Sequence, residues 1–350
     1  MKKIFFAIAA VAALASCSKS NVEYVPSGDQ ITLLPVAKNI TKSMITTSEF
    51  PTSESFNVWA WYNQVEPGTP AAEWDTTTDS PYISEGEFVF RSAGNWGGAT
   101  AYFWPKVGSL LFAGYYPASV AAKVDYAFDA TANEMVFSNI PQGTVASTGT
   151  SEDLMYFNMT ASSATNGPLP VVFKHALSWV TVNLSRPEAN AENAEYPKIV
   201  VNSVTFTNVN NQGTGVVAGT DGTIDWTVNG AAAPTVVTPE GGVVLSTTPA
   251  KQAEPLFIPQ TFVVDDKATA DKNEAMELQV NYTIYSSESE FFTETYSKVL
   301  AGMEDTNEDE LSEWEPSKHY TYNISIGLSE ILIAPTVDDW TGVTVNVPVQ

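Results

Sequence analysis

Over much of the second half of the chain, apolar and polar side chains take turns. Tyr320, Tyr322, Ile324, Ile326 and Leu328 share one parity, and His319, Thr321, Asn323, Ser325 and Gly327 hold the other. Leu278, Val280, Tyr282 and Ile284 alternate with Gln279, Asn281 and Thr283, and Val204 and Phe206 with Thr205 and Thr207. A period of two sends successive side chains to opposite faces, so each run predicts a half-buried strand. Leu169, Val171 and Phe173 lie on one parity, while Val180, Val182 and Leu184 lie on the other. The change of phase between His175 and Ser178 predicts a bulge or a corner. Helical spacing is confined to 250–254 and 308–314, each long enough for one short turn of helix. Gly, Pro, Asn and Asp punctuate the runs as turn residues do. The expected fold class is therefore all-β and sandwich-like. A Ser/Thr/Gly-rich stretch ending in Asn166-Gly167-Pro168 places a division near Gly167, giving units at 30–166 and 167–350.

The N-terminus follows another logic. Lys2 and Lys3 precede an apolar run from Ile4 to Leu14, too short for the ~20 residues of a membrane-spanning helix. Leu14-Ala15-Ser16-Cys17 closes that run and resembles the bacterial lipobox. The layout is that of a signal peptide over 1–16, followed by a tether over 17–29. Cys17 is the single cysteine among 350 residues, which points to its use as the lipid attachment site. Several acyl chains on one residue hold a protein to a membrane stably, where one chain binds only marginally. Beyond Cys17 there is no thiol for a disulfide, a nucleophile or a zinc–thiolate site.

Composition narrows the functional classes. Forty acidic residues against sixteen basic ones give a formal charge of −24, which repels phosphate backbones and argues against nucleic acid. Known catalytic signatures are missing: there is no Gly-x-Ser-x-Gly elbow, phosphate loop or His-Glu-x-x-His. Gly213, Gly215 and Gly219 have the wrong spacing for a dinucleotide fingerprint and suit hairpin turns better. Asp305, Asn307 and Asp309 begin like a calcium loop, but Glu310 stands where its glycine belongs, so a solvated acidic loop is expected. His175 and His319 make a thin metal inventory. No cofactor, metal or catalytic residue is assigned, and a non-enzymatic role is expected. Dense aromatic runs at 56–62 and 101–106 read as core packing; exposed, Trp59, Trp61, Tyr102 and Trp104 would instead form a stacking platform for a surface glycan-binding lipoprotein.

These runs also carry a family likeness. The lipobox, Thr41-Lys42-Ser43, Phe56 to Tyr62, Tyr102 to Pro105, and Phe112 to Pro117 occur in that order. They are followed by Asp153 to Tyr156, Phe173 to Ser178, Pro255 to Gln260, Tyr320 to Ile326 and Val337 to Trp340. The succession resembles the fimbrillins of the Bacteroidales, pilus subunits assembled from lipoprotein precursors. The resemblance implies two transthyretin-like antiparallel β-sandwich domains at the outer membrane and cell surface. It also implies partnership with other fimbrial subunits, self or related, and an adhesive role toward a host or bacterial surface ligand. In that family a protease removes the anchor with the first strand, and a neighbour's strand fills the groove.

Three segments fit those parts. Ile31, Leu33 and Pro35 mark the strand to be displaced. Val343, Val345, Val347 and Val349 alternate with Thr344, Asn346, Pro348 and Gln350, setting four apolar knobs ~6.6 Å apart on one face, which suits either a donor strand or a last edge strand of the chain's own domain. Family members cut by arginine-specific proteases carry an arginine after the first strand, whereas this chain has none before Arg91; Lys38 and Lys42 are the nearest basic residues. If Cys17 carries the lipid, Cys17→Ala should abolish acyl labelling and release the protein from membranes. Labelling that persists in the variant would refute the assignment.

Overall fold

The computed structural model describes residues 29–37, 50, 52–63, 81–92, 95–106, 108–128, 133–142, 153–162, 168–190, 194–218, 222–230, 232–237, 241–252, 254–264, 275–328 and 331–339. Among them are 23 strands and one 3-10 helix. Strands β1 (Leu33–Ala37), β2 (Ser55–Asn63), β3 (Ile83–Ser92), β4 (Asn95–Gly98) and β5 (Ser109–Tyr116) precede that helix, Ala118–Lys123. There follow β6 (Val124–Phe128), β7 (Asn133–Pro141), β8 (Met155–Ser162) and β9 (Leu169–His175). The middle of the chain forms β10 (Ser178–Ser185), β11 (Lys198–Asn210), β12 (Gln212–Ala218), β13 (Ile224–Val228), β14 (Ala232–Val236), β15 (Val243–Val244) and β16 (Ala250–Lys251). The last are β17 (Leu256–Phe257), β18 (Gln260–Thr261), β19 (Glu277–Tyr285), β20 (Phe291–Val299), β21 (Glu313–Trp314), β22 (Lys318–Ile326) and β23 (Ile331–Asp339).

The first sheet rolls shut. In the order β1-β4-β3-β2-β5-β8-β9 it closes into a barrel, with β1 lying between β4 and β9. Its interior holds Ile31, Leu33, Phe56, Phe88, Trp96, Phe112, Phe157, Leu169, Val171 and Phe173. Alternation in β9 is complete, with every odd residue from Leu169 to His175 buried and every even one exposed. Two further sheets face each other at the other end of the chain. One carries β16, β10, β22 and β23, the other β14, β11, β19 and β20. Between them pack Val180, Val182, Leu184, Phe206, Val280, Trp314, Tyr322 and Ile324, among others.

Between these two cores lies a third. The four-stranded sheet β13-β12-β7-β6 packs against the outside of the barrel, where Trp59, Trp61, Tyr115 and Tyr156 meet Met135, Phe137, Val217 and Ile224. This sheet joins distant parts of the chain, since β12 pairs with β7 from Gln212–Pro141 to Ala218–Glu134. The hairpin β12–β13 thus leaves the C-terminal half to complete a sheet begun in the N-terminal half.

Several details depart from the sequence-based expectations. The turn signal at Asn166-Gly167-Pro168 falls between two strands of one barrel, because β9 pairs with β8 and β1. The chain passes from barrel to sandwich later, at Ala176 and Leu177, where the parity also changes. Pairing is not wholly antiparallel: β1 with β9 and β10 with β22 run parallel. Neither 250–254 nor 308–314 is helical; β16 pairs with β10 and β21 with β18. Gly213 and Gly215 lie inside β12 rather than in a turn. A Cβ there would come within 2.7 Å of Ile258 or 2.9 Å of Ile224, so they are glycines of close approach.

Gly114 in β5 is more confined still, since a Cβ would lie 2.3 Å from the Phe157 ring and 2.8 Å from the Asn57 carbonyl oxygen. One is the barrel's own core, the other a neighbouring backbone, and neither can yield cheaply. Overpacking of this kind destabilises by ~1–3 kcal/mol, so Gly114→Ala should lower the urea midpoint accordingly with an unchanged m-value. A wild-type midpoint would show that the site has room.

Candidate functional site

The site begins at β1, the strand that closes the barrel. Leu33 to Ala37 run parallel to β9, matched in order with Leu169 to Phe173. The Leu169 N–H donates to the Thr32 carbonyl at 2.8 Å. On the other edge, Leu33 faces Trp96 of β4. Just before β1, the Ile31 N–H donates to the Tyr102 carbonyl at 2.8 Å, and the Trp104 N–H donates to the Asp29 carbonyl at 3.1 Å. Residues 29–31 therefore run antiparallel to the Tyr102–Trp104 stretch, with Gln30 bridging to Phe103. The Tyr82 hydroxyl donates to the Phe103 carbonyl and fixes that stretch from behind.

Side chains divide by parity along this strand. Ile31 is 1% exposed and Leu33 0%, while Leu34 is 36% exposed. Pro35 is also buried. Ile31, Leu33 and Pro35, the residues that mark the candidate displaced strand, are all buried. Their neighbours are apolar, chiefly Trp96, Trp104, Leu169, Val171 and Phe173.

Phe50 lies in the same core. Its ring packs against Phe56, Trp96, Tyr116 and Phe173 at centroid separations of 5.6, 5.1, 5.2 and 5.5 Å. Each such pair adds ~0.5–1.5 kcal/mol beyond the area buried. Phe50 is thus held by rings of β2, β4, β5 and β9. Sequence reading did not single it out, because an isolated phenylalanine carries no period. Lys38 and Lys42 fall between Ala37 and Phe50, outside the described residues, as do Cys17 and Val343, Val345, Val347 and Val349.

The aromatic runs are core. Trp59 and Trp61 are 7% exposed and Trp104 2%. Trp61 stacks on Tyr126 at 4.1 Å, and Tyr102 is half-buried. These rings spend their faces inside the molecule, so the four residues do not form a glycan platform.

The two histidines stay apart. His175 Nδ1 lies 2.9 Å from Asp153 Oδ2, with both side chains buried. His319 stacks on Trp179 at 3.6 Å, and its pKa is lowered to about 4 by burial and by the charge of Lys251. In the acidic loop, Asp305 Oδ1 accepts the Asn307 and Asp309 N–H groups at 2.7 and 3.0 Å. That carboxylate is engaged in a turn. Among the described residues no cluster of His, Cys, Asp or Glu could hold a metal ion.

Residues 41–340 match the fimbrillin-like family. The chain belongs to that family. Residues 1–18 match the prokaryotic membrane lipoprotein lipid attachment site, and this fimbrillin-like protein is a membrane-anchored surface lipoprotein. Its fold is similar to that of a fimbrial protein from Bacteroides vulgatus, with TM-score 0.57 and 14% identity over 89% of this chain and 100% of that one. A candidate cell adhesion protein from Bacteroides uniformis aligns with TM-score 0.54 and 14% identity over 89% and 99% of the two chains. No curated protein matches by sequence.

Leu33 and Leu34 make a direct test of the seam. Leu33→Ala should lower the stability of the full chain by ~2–5 kcal/mol, as large-to-small changes in cores do. Leu34→Ala should stay within about 0.5 kcal/mol. Denaturant titration of both variants checks this, and equal effects would mean that β1 is not seated by parity.

Proposed function

We propose that this fimbrillin-like lipoprotein is a structural or accessory subunit of a surface fimbria, assembled by β-strand donation between precursors and supporting adhesion. The role is structural rather than catalytic. In this reading Cys17 carries the lipid that holds the precursor at the outer membrane. Proteolysis after Lys38 or Lys42 then frees β1 together with the anchor. The valine ladder of another copy, or of a related subunit, takes the place of β1.

One observation carries the proposal. β1 seals the barrel with three inward apolar residues, yet Phe50 secures the chain just beyond it. Removing β1 would leave Leu169, Val171 and Phe173 along an edge of unpaired backbone, with β4 still paired to β3 and β9 to β8. Such an edge is a template for a foreign strand, which supplies hydrogen bonds from its backbone and affinity from alternate side chains. Burying four valines at ~1.5–2 kcal/mol each helps to offset the ordering of a tail. Retention of the anchor by some copies would make them basal subunits rather than shaft subunits.

The test is to cleave purified precursor after Lys42 and look for SDS-resistant ladders, with and without the last eight residues. Ladders should form with the intact chain and disappear with the truncated one. Val345→Asp should also prevent them, by placing a charge among apolar groups, while the precursor still folds. Ladders that survive truncation would rule out this donor.

A further inference from the structure

Taking that reading of the groove as its basis, we infer that the donated valine strand enters antiparallel to β9, opposite in direction to the β1 strand it replaces. Two prolines decide the direction.

In a strand, the N–H and C=O of one residue point to one edge, and those of the next residue to the other edge. Leu169 donates to Thr32, and Leu33 is its register partner. The parallel ladder therefore uses the even residues of β1 toward β9: the Leu34 and Val36 N–H groups serve the Leu169 and Val171 carbonyls. Odd residues turn their N–H groups the other way, as Ile31 does in donating to Tyr102. Pro35 is odd and inward. Its missing N–H thus falls on the far edge, past the one pairing that β1 makes with β4, and no rung of the β9 ladder is lost.

The tail has the opposite arrangement. The valines that would fill the groove are the odd ones, Val343 to Val349, and its proline is Pro348, an even one. If the tail entered parallel to β9, its even residues would face β9. With the four valines set at the levels of Ile31, Leu33, Pro35 and Ala37, Pro348 would then stand at the level of Val36. The Val171 carbonyl would lose its donor, and the proline ring would press against it. Val171 is fully buried, and a buried carbonyl without a donor costs ~1–3 kcal/mol.

Reversing the strand removes the conflict. In an antiparallel pair, directly opposed residues exchange both of their hydrogen bonds. Leu169, Val171 and Phe173 present both their side chains to the interior and their backbone to this edge. Opposed by valines, each finds an inward side chain and an available N–H at once. Pro348 turns toward the β4 edge, where β1 itself has a single paired residue. The proline that blocks parallel insertion is then harmless.

Cross-linking reads the direction. With Cys17→Ser removing the native thiol, one full-length chain carries Thr344→Cys or Gln350→Cys. A second carries Pro170→Cys or Lys174→Cys, both at exposed, outward positions of β9. The two are mixed, cleaved after Lys42 and treated with a short bis-maleimide. A synthetic peptide of residues 340–350 bearing the same cysteines serves as a second donor. Antiparallel entry predicts that Thr344→Cys joins Lys174→Cys and that Gln350→Cys joins Pro170→Cys, each at least fivefold over the crossed pairs. The reverse preference would overturn the direction while leaving strand donation standing. Absence of all four products, from chain and peptide alike, would remove the donation reading itself. A proline swap gives an independent check. Val347→Pro with Pro348→Val puts the missing N–H toward β9 in the antiparallel arrangement, so ladders should fall at least tenfold. Undiminished ladders would contradict antiparallel entry.

Discussion

A sheet rolled into a barrel is free of edges only while every strand is present. In this molecule that condition rests on five residues of β1, held by a parallel ladder on one side and one bridge on the other. The core of large aromatic rings inside the barrel is closed off from water by that strand. Without β1 the same residues form an open sheet whose interior meets water along one seam. The strand that closes the barrel is held on its β4 side by a single paired position.

The cores show how the molecule can carry so vulnerable a strand. Strands β2, β5 and β8 at the opposite wall of the barrel are covered on both faces, by the barrel interior and by the intermediate sheet. Phe50 packs on this wall through Phe56 of β2 and Tyr116 of β5. The buried Asn57 amide donates to the Tyr115 hydroxyl at 2.6 Å, and that hydroxyl donates to Glu85 at 2.6 Å, tying β2, β5 and β3 across their shared face. The strands covered on both faces thus lie across the barrel from the seam.

Much of this was legible in the sequence, because strand alternation is a local property. Leu169-Val171-Phe173 and Tyr320-Tyr322-Ile324-Ile326 declared their inward faces, and the phase change near Ala176 marked the crossing between cores. Ile31, Leu33 and Pro35 were likewise readable as one face of a strand. Pairing between remote strands was not readable. Nothing in Gln212 to Ala218 indicates that its partner is β7, since register is decided by cores that form only on folding. Asn166-Gly167-Pro168 lies between the antiparallel strands β8 and β9, and a reversal within a sheet and one between units look alike in sequence. Gly213 and Gly215 misled similarly: glycine marks close approach as well as turns, and only the neighbouring Ile258 and Ile224 distinguish the two.

The loan of β12 and β13 to the N-terminal sheet has a mechanical consequence. In a filament built by donation, tension would enter a subunit at its groove, in the barrel, and leave through its tail, beyond the sandwich. Every newton must therefore cross the joint at Ala176. A single covalent strand there would act as a hinge and let the two halves swing apart. The crossing hairpin places a second connection beside it, six paired positions of β12 on β7. Pulled along their length, such pairs are loaded together in shear instead of being peeled one by one. The subunit would then transmit force as a strut does, with the joint no softer than the sheets it connects.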